Sequence, residues 1–343
     1  MTHTIELGLD TFGDVSDGPD GKPLHAAQVI RNVIEEAALA DEVGVDFIGI
    51  GEHHRADFAV SSPEMVLAAI ASRTKRIKLG SAVTVLSSDD PIRVFQRFST
   101  LDALSNGRAE VMLGRGSFVE SFPLFGFELN QYEELFNEKL DLFAAVLTQQ
   151  PVTWHGAMRP PLKNQNVYPK TESGRLTTWI GVGGTPQSVM RAAHYGMPMM
   201  LAIIGGDPRR FAPFADLYRR ALKELGKAAL PVGVHSHGFI GETDTQAREE
   251  LFADYKRMRD KIGMERGWPP LSRTDFEREI EHGSLYVGSP ETVARKIVAT
   301  VKALGVNRFD IKYSAGPLSH TKIMRNIELY GRKVIPLVRE MLS

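Results

Sequence analysis

The chain contains an apolar run that ends in an acid and two histidines, Phe47-Ile48-Gly49-Ile50-Gly51-Glu52-His53-His54. The apolar part predicts a buried strand, and the polar part marks its carboxyl end. In parallel α/β proteins, ligands bind at the carboxyl ends of the strands. The same arrangement returns at residues 79–81, 113–117 and 180–185. These repeats predict a parallel α/β protein whose site is built on strand ends.

Strand-like and helix-like patterns alternate along the chain, which favours a parallel sheet covered by helices. Eight strands are predicted, at residues 5–11, 47–51, 77–85, 109–113, 178–182, 199–204, 232–240 and 309–313. Eight such units in 343 residues predict an α/β fold of the (β/α)8 TIM-barrel class. We expect one domain over residues 1–343, with insertions of about 149–177 after strand four and 263–288 after strand seven.

Composition excludes several classes of protein. Acids and bases nearly cancel, with a formal net charge of −1, so there is no basic field to attract nucleic acid or an anionic membrane. The chain has no cysteine, which excludes disulfides, thiolate metal sites and a thiol nucleophile. Residues 1–6 do not resemble a secretory signal, and no apolar run approaches the ~20 residues of a membrane span. We therefore expect a cytoplasmic protein.

The acid and histidines at the end of strand two are the first candidate site. Neighbouring side chains on an extended chain point to opposite sides, so one of His53 and His54 is expected to face the barrel mouth. That histidine could transfer a proton, with Glu52 orienting its neighbours. The alternative is a cluster that only stabilises the loop.

Two glycine-rich strand ends predict a phosphate site. Arg115 lies between Gly114 and Gly116, where its planar guanidinium is free to meet a phosphate. The turn at residues 181–185 precedes a helix whose first N–H groups could bind an anion. The alternative for Arg115 is a surface side chain in a glycine turn. Together the two strand ends predict a two-sided phosphate clamp.

His235 and His237 alternate on strand seven and therefore share one face. With Asp310 on strand eight, they could form a metal site. The alternative is a pair of histidines that line the barrel mouth without metal.

Several segments, taken in order, resemble the bacterial luciferase-like, flavin-dependent monooxygenases. The resemblance extends from the first strand to Leu342. Its segments are Gly51-Glu52-His53-His54, Leu79-Gly80-Ser81-Ala82-Val83-Thr84-Val85-Leu86, Asp90-Pro91-Ile92-Arg93, Asp102-Ala103-Leu104-Ser105-Asn106-Gly107-Arg108, Leu113-Gly114-Arg115-Gly116 and Ala192-Ala193-His194-Tyr195-Gly196-Met197-Pro198.

The resemblance implies a TIM barrel that binds FMN at its C-terminal face. A cis peptide bond that supports the flavin ring would join Ala82 and Val83. The family's acid and histidine pair falls on Glu52, His53 and His54. The groups implied for the flavin phosphate are the Arg115 side chain, the backbone of Gly184 and Thr185, and the Ser188 hydroxyl. The luciferase pattern has Glu-Ser in place of Gly184-Thr185, so side-chain contacts there are in doubt.

The implied reaction is monooxygenation of a small organic substrate by O2 and reduced FMN, which a separate flavin reductase supplies. His53 or His54 would transfer protons, a lid near residues 264–288 would exclude water, and the enzyme would be a homodimer. Three alternatives stay open. They are a deazaflavin F420-dependent oxidoreductase that transfers hydride, a metal-dependent barrel hydrolase using His235, His237 and Asp310, and a non-catalytic flavin-binding protein.

Overall fold

A computed structural model of the protein describes residues 5–343. Residues 1–4, which entered the search for a secretory signal, lie outside this range. The strands of the described part are β1 (Glu6–Thr11), β2 (Phe47–Ile50), β3 (Lys78–Ser81), β4 (Thr84–Val85), β5 (Ala109–Gly114), β6 (Val152–Trp154), β7 (Leu162–Gln165), β8 (Thr177–Val182), β9 (Met199–Ala202), β10 (Val232–Ile240), β11 (Tyr286–Gly288) and β12 (Arg308–Lys312).

Eight of these strands close into a parallel barrel. Their order around the barrel is β1, β2, β3, β5, β8, β9, β10 and β12, and β12 pairs with β1 to complete the circle. The predicted (β/α)8 TIM barrel is therefore confirmed. The two predicted insertions contain regular structure: β6 and β7 form an antiparallel hairpin in the first, while the second contains a helix and β11, which pairs with the end of β10.

Helices surround the barrel and bury one face each against it. They are α1 (Ala26–Glu42), α2 (Pro63–Arg73), α3 (Pro91–Ser105), α4 (Ser121–Phe125), α5 (Tyr132–Leu147), α6 (Pro186–Tyr195), α7 (Ala212–Glu224), α8 (Asp244–Arg266), α9 (Arg273–His282), α10 (Pro290–Leu304), α11 (His320–Leu329) and α12 (Ile335–Leu342). Within residues 5–343, no helix combines the length and the apolar character that crossing a membrane requires.

Helix starts follow the capping chemistry of the sequence. Asp90 accepts hydrogen bonds from the backbone N–H groups of Ile92 and Arg93, and Pro91 occupies the first turn of α3. Ser289 caps α10 through the N–H of Thr292. These caps explain why the helix starts could be predicted closely from residue types alone.

The predicted third strand, 77–85, is wrong in one respect. It is divided into β3 and β4, because the chain leaves the barrel ladder after Ser81. The peptide bond between Ala82 and Val83 in this break is cis. Afterwards Thr84 and Val85 pair only with β5, opposite Leu113 and Gly114.

A buried arginine occupies the amino-terminal part of the barrel lumen. The Arg308 side chain is 1% exposed, and its Cζ lies 3.4 Å from the centroid of the Phe47 ring. Its Nη1 donates to Glu110 Oε2 at 2.7 Å, and its Nε donates to Asp310 Oδ2 at 2.9 Å. Glu110 Oε2 also accepts from the Trp179 indole at 3.0 Å. The lower lumen is thus filled by paired charges, although Nη2 of Arg308 has no hydrogen-bond partner within residues 5–343.

We expect Arg308→Ala to destabilise the protein by about 3–5 kcal/mol, because it leaves two buried carboxylates without their partner. Urea unfolding followed by circular dichroism measures the effect. The matched control is Arg332→Ala, since Arg332 is 53% exposed and pairs with Glu42 and Glu328 at the surface. That variant should lose less than about 1 kcal/mol. An equal loss of unfolding free energy in the two variants would contradict a stabilising role of the charged cluster in the lumen.

Candidate active site

A cavity of about 460 Å³ opens at the carboxyl ends of the barrel strands. Of the predicted site residues, Glu52, His53, Ala82, Val83 and Arg115 line it. His235, His237 and Asp310 also reach it. In the described part of the chain, the predicted residues outside the lining are His54, Gly184, Thr185 and Ser188.

Glu52 joins two loops beside the cavity. Its Oε1 lies 2.8 Å from His54 Nε2, and its Oε2 accepts the backbone N–H of Val85 at 2.9 Å. The His54 ring packs edge-on against Phe125, with centroids 5.1 Å apart. His54 is therefore held by Glu52 behind the cavity wall, and Glu52 ties the end of β2 to β4.

His53 is the histidine that lines the cavity. Its ring is enclosed by Phe12, Phe58 and Phe118, with centroid distances of 4.5, 4.6 and 5.0 Å. Its Nε2 is buried and has no hydrogen-bond partner within residues 5–343. Burial among these rings lowers the pKa of His53 from 6.5 to about 3. At neutral pH the imidazole is uncharged.

Glycines make room for the wall formed by Ala82 and Val83. A side chain at Gly114 would place its Cβ 2.5 Å from a Val83 methyl group, which is closer than atoms can pack. A Cβ at Gly181 would lie 3.3 Å from Val83. The glycines at the ends of β5 and β8 thus let Val83 reach the cavity wall.

Arg115 shares a carboxylate with a second arginine. Its guanidinium pairs with Glu133, and Glu133 pairs on its other oxygen with Arg191 of α6 at 3.1 Å. Burial and the charge of Arg115 lower the pKa of Arg191. Sequence reasoning missed Arg191, although its position three residues after Ser188 places it on the same helical face as the predicted clamp.

The start of α6 offers two hydroxyl groups beside this pair. Thr185 caps the helix through the N–H of Ser188, and the two hydroxyl oxygens are 2.9 Å apart. Gly184 has φ +106°, a conformation that favours glycine. The backbone of Gly183 faces open space, since a Cβ there would meet nothing within 4 Å. A ligand can therefore approach this backbone closely.

A second histidine in the cavity is paired with an acid that sequence reasoning also missed. His235 Nδ1 lies 2.6 Å from Oδ2 of Asp10, a buried residue of β1. Burial by itself lowers the pKa of His235, but the charge and hydrogen bond of Asp10 and the charge of Asp310 together outweigh it, so the pKa lies above 6.5. Burial lowers the pKa of His237 well below 6.5, and the charge of Lys312 acts in the same direction. Asp10 could have been suspected from its position as the acid near the carboxyl end of β1.

The model of the luciferase-like monooxygenase family matches residues 11–308. The chain belongs to this family. It is 27% identical to 4-hydroxyprotoasukamycin monooxygenase of Streptomyces nodosus subsp. asukaensis over 330 residues, which cover 88% of this chain and 85% of the relative.

Solved structures share the fold. One is the oxygenating constituent of 3,6-diketocamphane monooxygenase of Pseudomonas putida, a type II Baeyer–Villiger monooxygenase in complex with FMN. Its TM-score is 0.77 at 20% identity, covering 97% of this chain and 98% of that one. Another is the coenzyme F420 dependent tetrahydromethanopterin reductase of Methanopyrus kandleri. Its TM-score is 0.71 at 20% identity, covering 97% of this chain and 99% of that one.

The metal-site alternative finds no support in this member of the luciferase-like family. The Asp310 carboxylate is bound to Arg308, and His235 is bound to Asp10. Nowhere in residues 5–343 do three histidine or acidic side chains converge so that they could hold a metal ion. His235 and His237 instead line the mouth of the barrel, the other interpretation of their spacing.

The roof of the cavity differs from the expected lid at residues 264–288. From that segment only Arg266 and Trp268 line the cavity, and the rest of the roof comes from earlier turns of α8, including Met258 and Ile262. Ion pairs tie α8 to the loops after β1 and β2: Arg257 with Asp17, Lys261 with Asp57, and Glu265 with Arg55. The roof is thus the end of a regular helix, because α8 continues to Arg266 before Gly267 ends it.

The pKa values of two cavity histidines, His53 and His235, should be shifted in opposite directions from the ordinary value. We expect His235 to be mostly protonated at pH 6.5 and His53 to stay neutral down to about pH 3. Two-dimensional ¹⁵N NMR of the imidazole rings measures both. Because the folded-state pKa of His235 lies above 6.5, its protonation stabilises the fold below pH 6.5, and this contribution is lost as pH rises through the folded-state pKa.

Asp10→Asn provides the control for this assignment. Removing the carboxylate leaves burial to act on His235, so its pKa should fall while that of His53 stays low. A His53 resonance that titrates near 6.5 would show that its aromatic enclosure is open to water.

Proposed function

We propose that the protein is an FMN-dependent monooxygenase that uses reduced flavin and O2 to oxygenate a small organic substrate. The observation that carries this proposal is the pair of arginines, Arg115 and Arg191, that meet at Glu133 beside the start of α6. The pair lies where the cavity wall is formed by glycine backbone. The names of the related monooxygenases support the same reaction class.

The residues present fit a flavin phosphate. Two guanidinium groups face a single carboxylate, so one positive charge is left over for a phosphate dianion. Glu133 is 53% exposed and can turn into solvent when a phosphate takes its place. The Thr185 and Ser188 hydroxyls and the backbone of Gly184 would add hydrogen bonds at the helix start. From there the cavity extends towards Ala82 and Val83, where a flavin ring would lie.

Reduced FMN, when bound, supplies the electrons with which O2 is activated. The chain's own contribution is a dry and shaped environment. Phe12, Phe58 and Phe118 keep water away from His53, whose uncharged Nε2 is free to hold or pass a proton. We assign His54 and Glu52 a positioning role, because Glu52 is bonded both to His54 and to the backbone N–H of Val85. Asp10 and His235 form a second proton-carrying pair, and the His235 ring lies 6.5 Å from the Phe12 ring.

The F420-dependent oxidoreductase is the second candidate function. A solved F420-dependent enzyme shares the fold, and that cofactor also carries a phosphate that the clamp could hold. We favour FMN because the matched family is one of monooxygenases. Delivery of reduced FMN by a separate reductase, a homodimeric assembly, a single domain and a cytoplasmic location belong to the same proposal.

Replacing Arg115 or Arg191 by alanine should weaken binding of reduced FMN about tenfold or more for each, since each change removes a charge-assisted contact worth ~1.4 kcal/mol or more. Anaerobic titration of the protein with reduced FMN measures the affinity. The control is Arg209→Ala, because Arg209 is 78% exposed and its ion pair within residues 5–343 is with the neighbouring Asp207. Its affinity should equal that of the unmodified protein.

Mixing the reduced complex with air-saturated buffer then separates the candidate functions. If oxidation of the bound reduced FMN is accompanied by oxygenation of an added organic substrate, the result supports the monooxygenase. Tight F420 binding without FMN binding would replace it with the hydride-transfer enzyme. FMN binding without any substrate-dependent O2 consumption, over a broad substrate panel, would indicate a non-catalytic flavin-binding protein.

A further inference from the structure

Two guanidinium groups in the roof of the cavity form no ion pair with an acid of residues 5–343. We propose that the part of the cavity below α8 is a subsite for an organic anion, and that the substrate is a small carboxylate or similar acid with an apolar body. Arg259 and Arg266 would hold its charged group. The inference rests on the proposed function, which places the flavin at the other end of the cavity.

The acids that line the cavity are all bound to other groups. Asp10 is hydrogen-bonded to His235, and Asp310 is paired with Arg308. Glu52 is bonded to His54 and to the backbone N–H of Val85. These carboxylates lie on the floor and side walls, away from the roof helix. Each of the three carboxylates is bonded to a group other than Arg259 and Arg266.

The cationic side chains that line the cavity divide into two groups, those with an acidic partner within residues 5–343 and those without one. Lys312 is paired with Asp14, and Arg115 is paired with Glu133. Arg259 and Arg266 form no ion pair with any acid in the part of the chain that the structure describes. Other basic side chains of α8 each have an acidic partner, namely Arg248 with Glu277, Lys256 with Asp260, Arg257 with Asp17 and Lys261 with Asp57.

The indole of Trp268 packs against both guanidinium groups that lack an ion pair in the described part of the chain. The Cζ of Arg259 lies 4.2 Å from the indole centroid, and that of Arg266 lies 5.3 Å from it. Arg266 also donates to the carbonyl of Ser117 at 3.1 Å. Nη1 of Arg259 is buried but finds no hydrogen-bond partner among residues 5–343. A buried donor without an acceptor is costly, and a ligand anion bound to this guanidinium would offset part of that cost.

The walls below these arginines are mainly apolar. They are formed by Tyr255, Met258 and Ile262 of the roof and by Met200 and Ile204 around β9. An apolar surface of this kind favours a hydrocarbon or aromatic body, while the guanidinium groups favour a carboxylate at one end. Arg259 is partly buried whereas Arg266 is exposed, so the charge of Arg259 is the less screened of the two.

A matched pair of ligands tests the subsite. The probes are 3-phenylpropionate and 3-phenylpropionamide, which have nearly the same shape and differ in charge. Calorimetric titration into the FMN-loaded protein should show binding of the carboxylate about tenfold or more tighter than binding of the amide. Arg259→Gln should reduce carboxylate affinity about tenfold and leave amide affinity unchanged. Arg266→Gln should act in the same direction.

Arg248→Gln is the matched control, since Arg248 lies on the same helix, is paired with Glu277 and does not line the cavity. Equal affinity for the two probes, an unchanged preference in Arg259→Gln, or displacement of FMN by the carboxylate would overturn the subsite. The affinity for FMN is measured separately for every variant. It distinguishes failure of the anion subsite from failure of the proposed function. A protein that binds FMN but does not prefer the anion contradicts the subsite alone.

Discussion

The Arg308 guanidinium inside the barrel is the interaction on which the upper half of the structure depends. Closing eight strands into a barrel forces inward side chains of different strands into one narrow space. In the lower lumen this space is filled by Arg308, bonded to Glu110 and Asp310 and covered by the Phe47 ring. Removing Arg308 would leave Glu110 and Asp310 buried without their shared cation, so the cluster ties together the strands that carry these three residues.

This charged floor also determines where the cavity begins. Above it lies a small apolar layer made by Met112, Trp179 and Met200, with Val83 packed against it. Trp179 joins the two levels, because its indole donates to Glu110 while its ring belongs to the apolar layer. The open space starts over this layer, at the ends of the strands, where glycines replace larger side chains.

The chemistry of the cavity follows from how its charges are partnered. Acids on the floor and walls are bonded to histidines, to Arg308 or to backbone N–H groups. Positive charge remains at two places, the arginine pair beside α6 and the roof of α8. His53 lies between aromatic rings and stays neutral, whereas His235 is held by Asp10 and binds a proton more readily. One cavity thus contains His53 and His235, whose pKa values are shifted in opposite directions.

Local patterns were enough to predict the barrel, its helix caps and several wall residues. Alternation of apolar runs and amphipathic helices depends on neighbours along the chain, so the eight strands could be counted from the sequence. Glu52, His53 and Arg115 were found because they directly follow a strand end. Strand three was predicted as continuous because residues 77–85 are mostly apolar or small. The family resemblance implied a cis peptide bond at Ala82-Val83, but the residue pattern alone did not mark a break there.

The sequence by itself determined the fold class and the face of the barrel where the site lies, since both follow from periodicity and the order of the strands. Tertiary structure alone decided which side chains meet there. Arg191 joins Arg115 through Glu133, Asp10 reaches His235 across 225 positions of the chain, and α8 covers the cavity. Such contacts depend on barrel closure and on distances between remote residues. The pKa values of His53 and His235 depend on the same closure, because burial and neighbouring charge act through space.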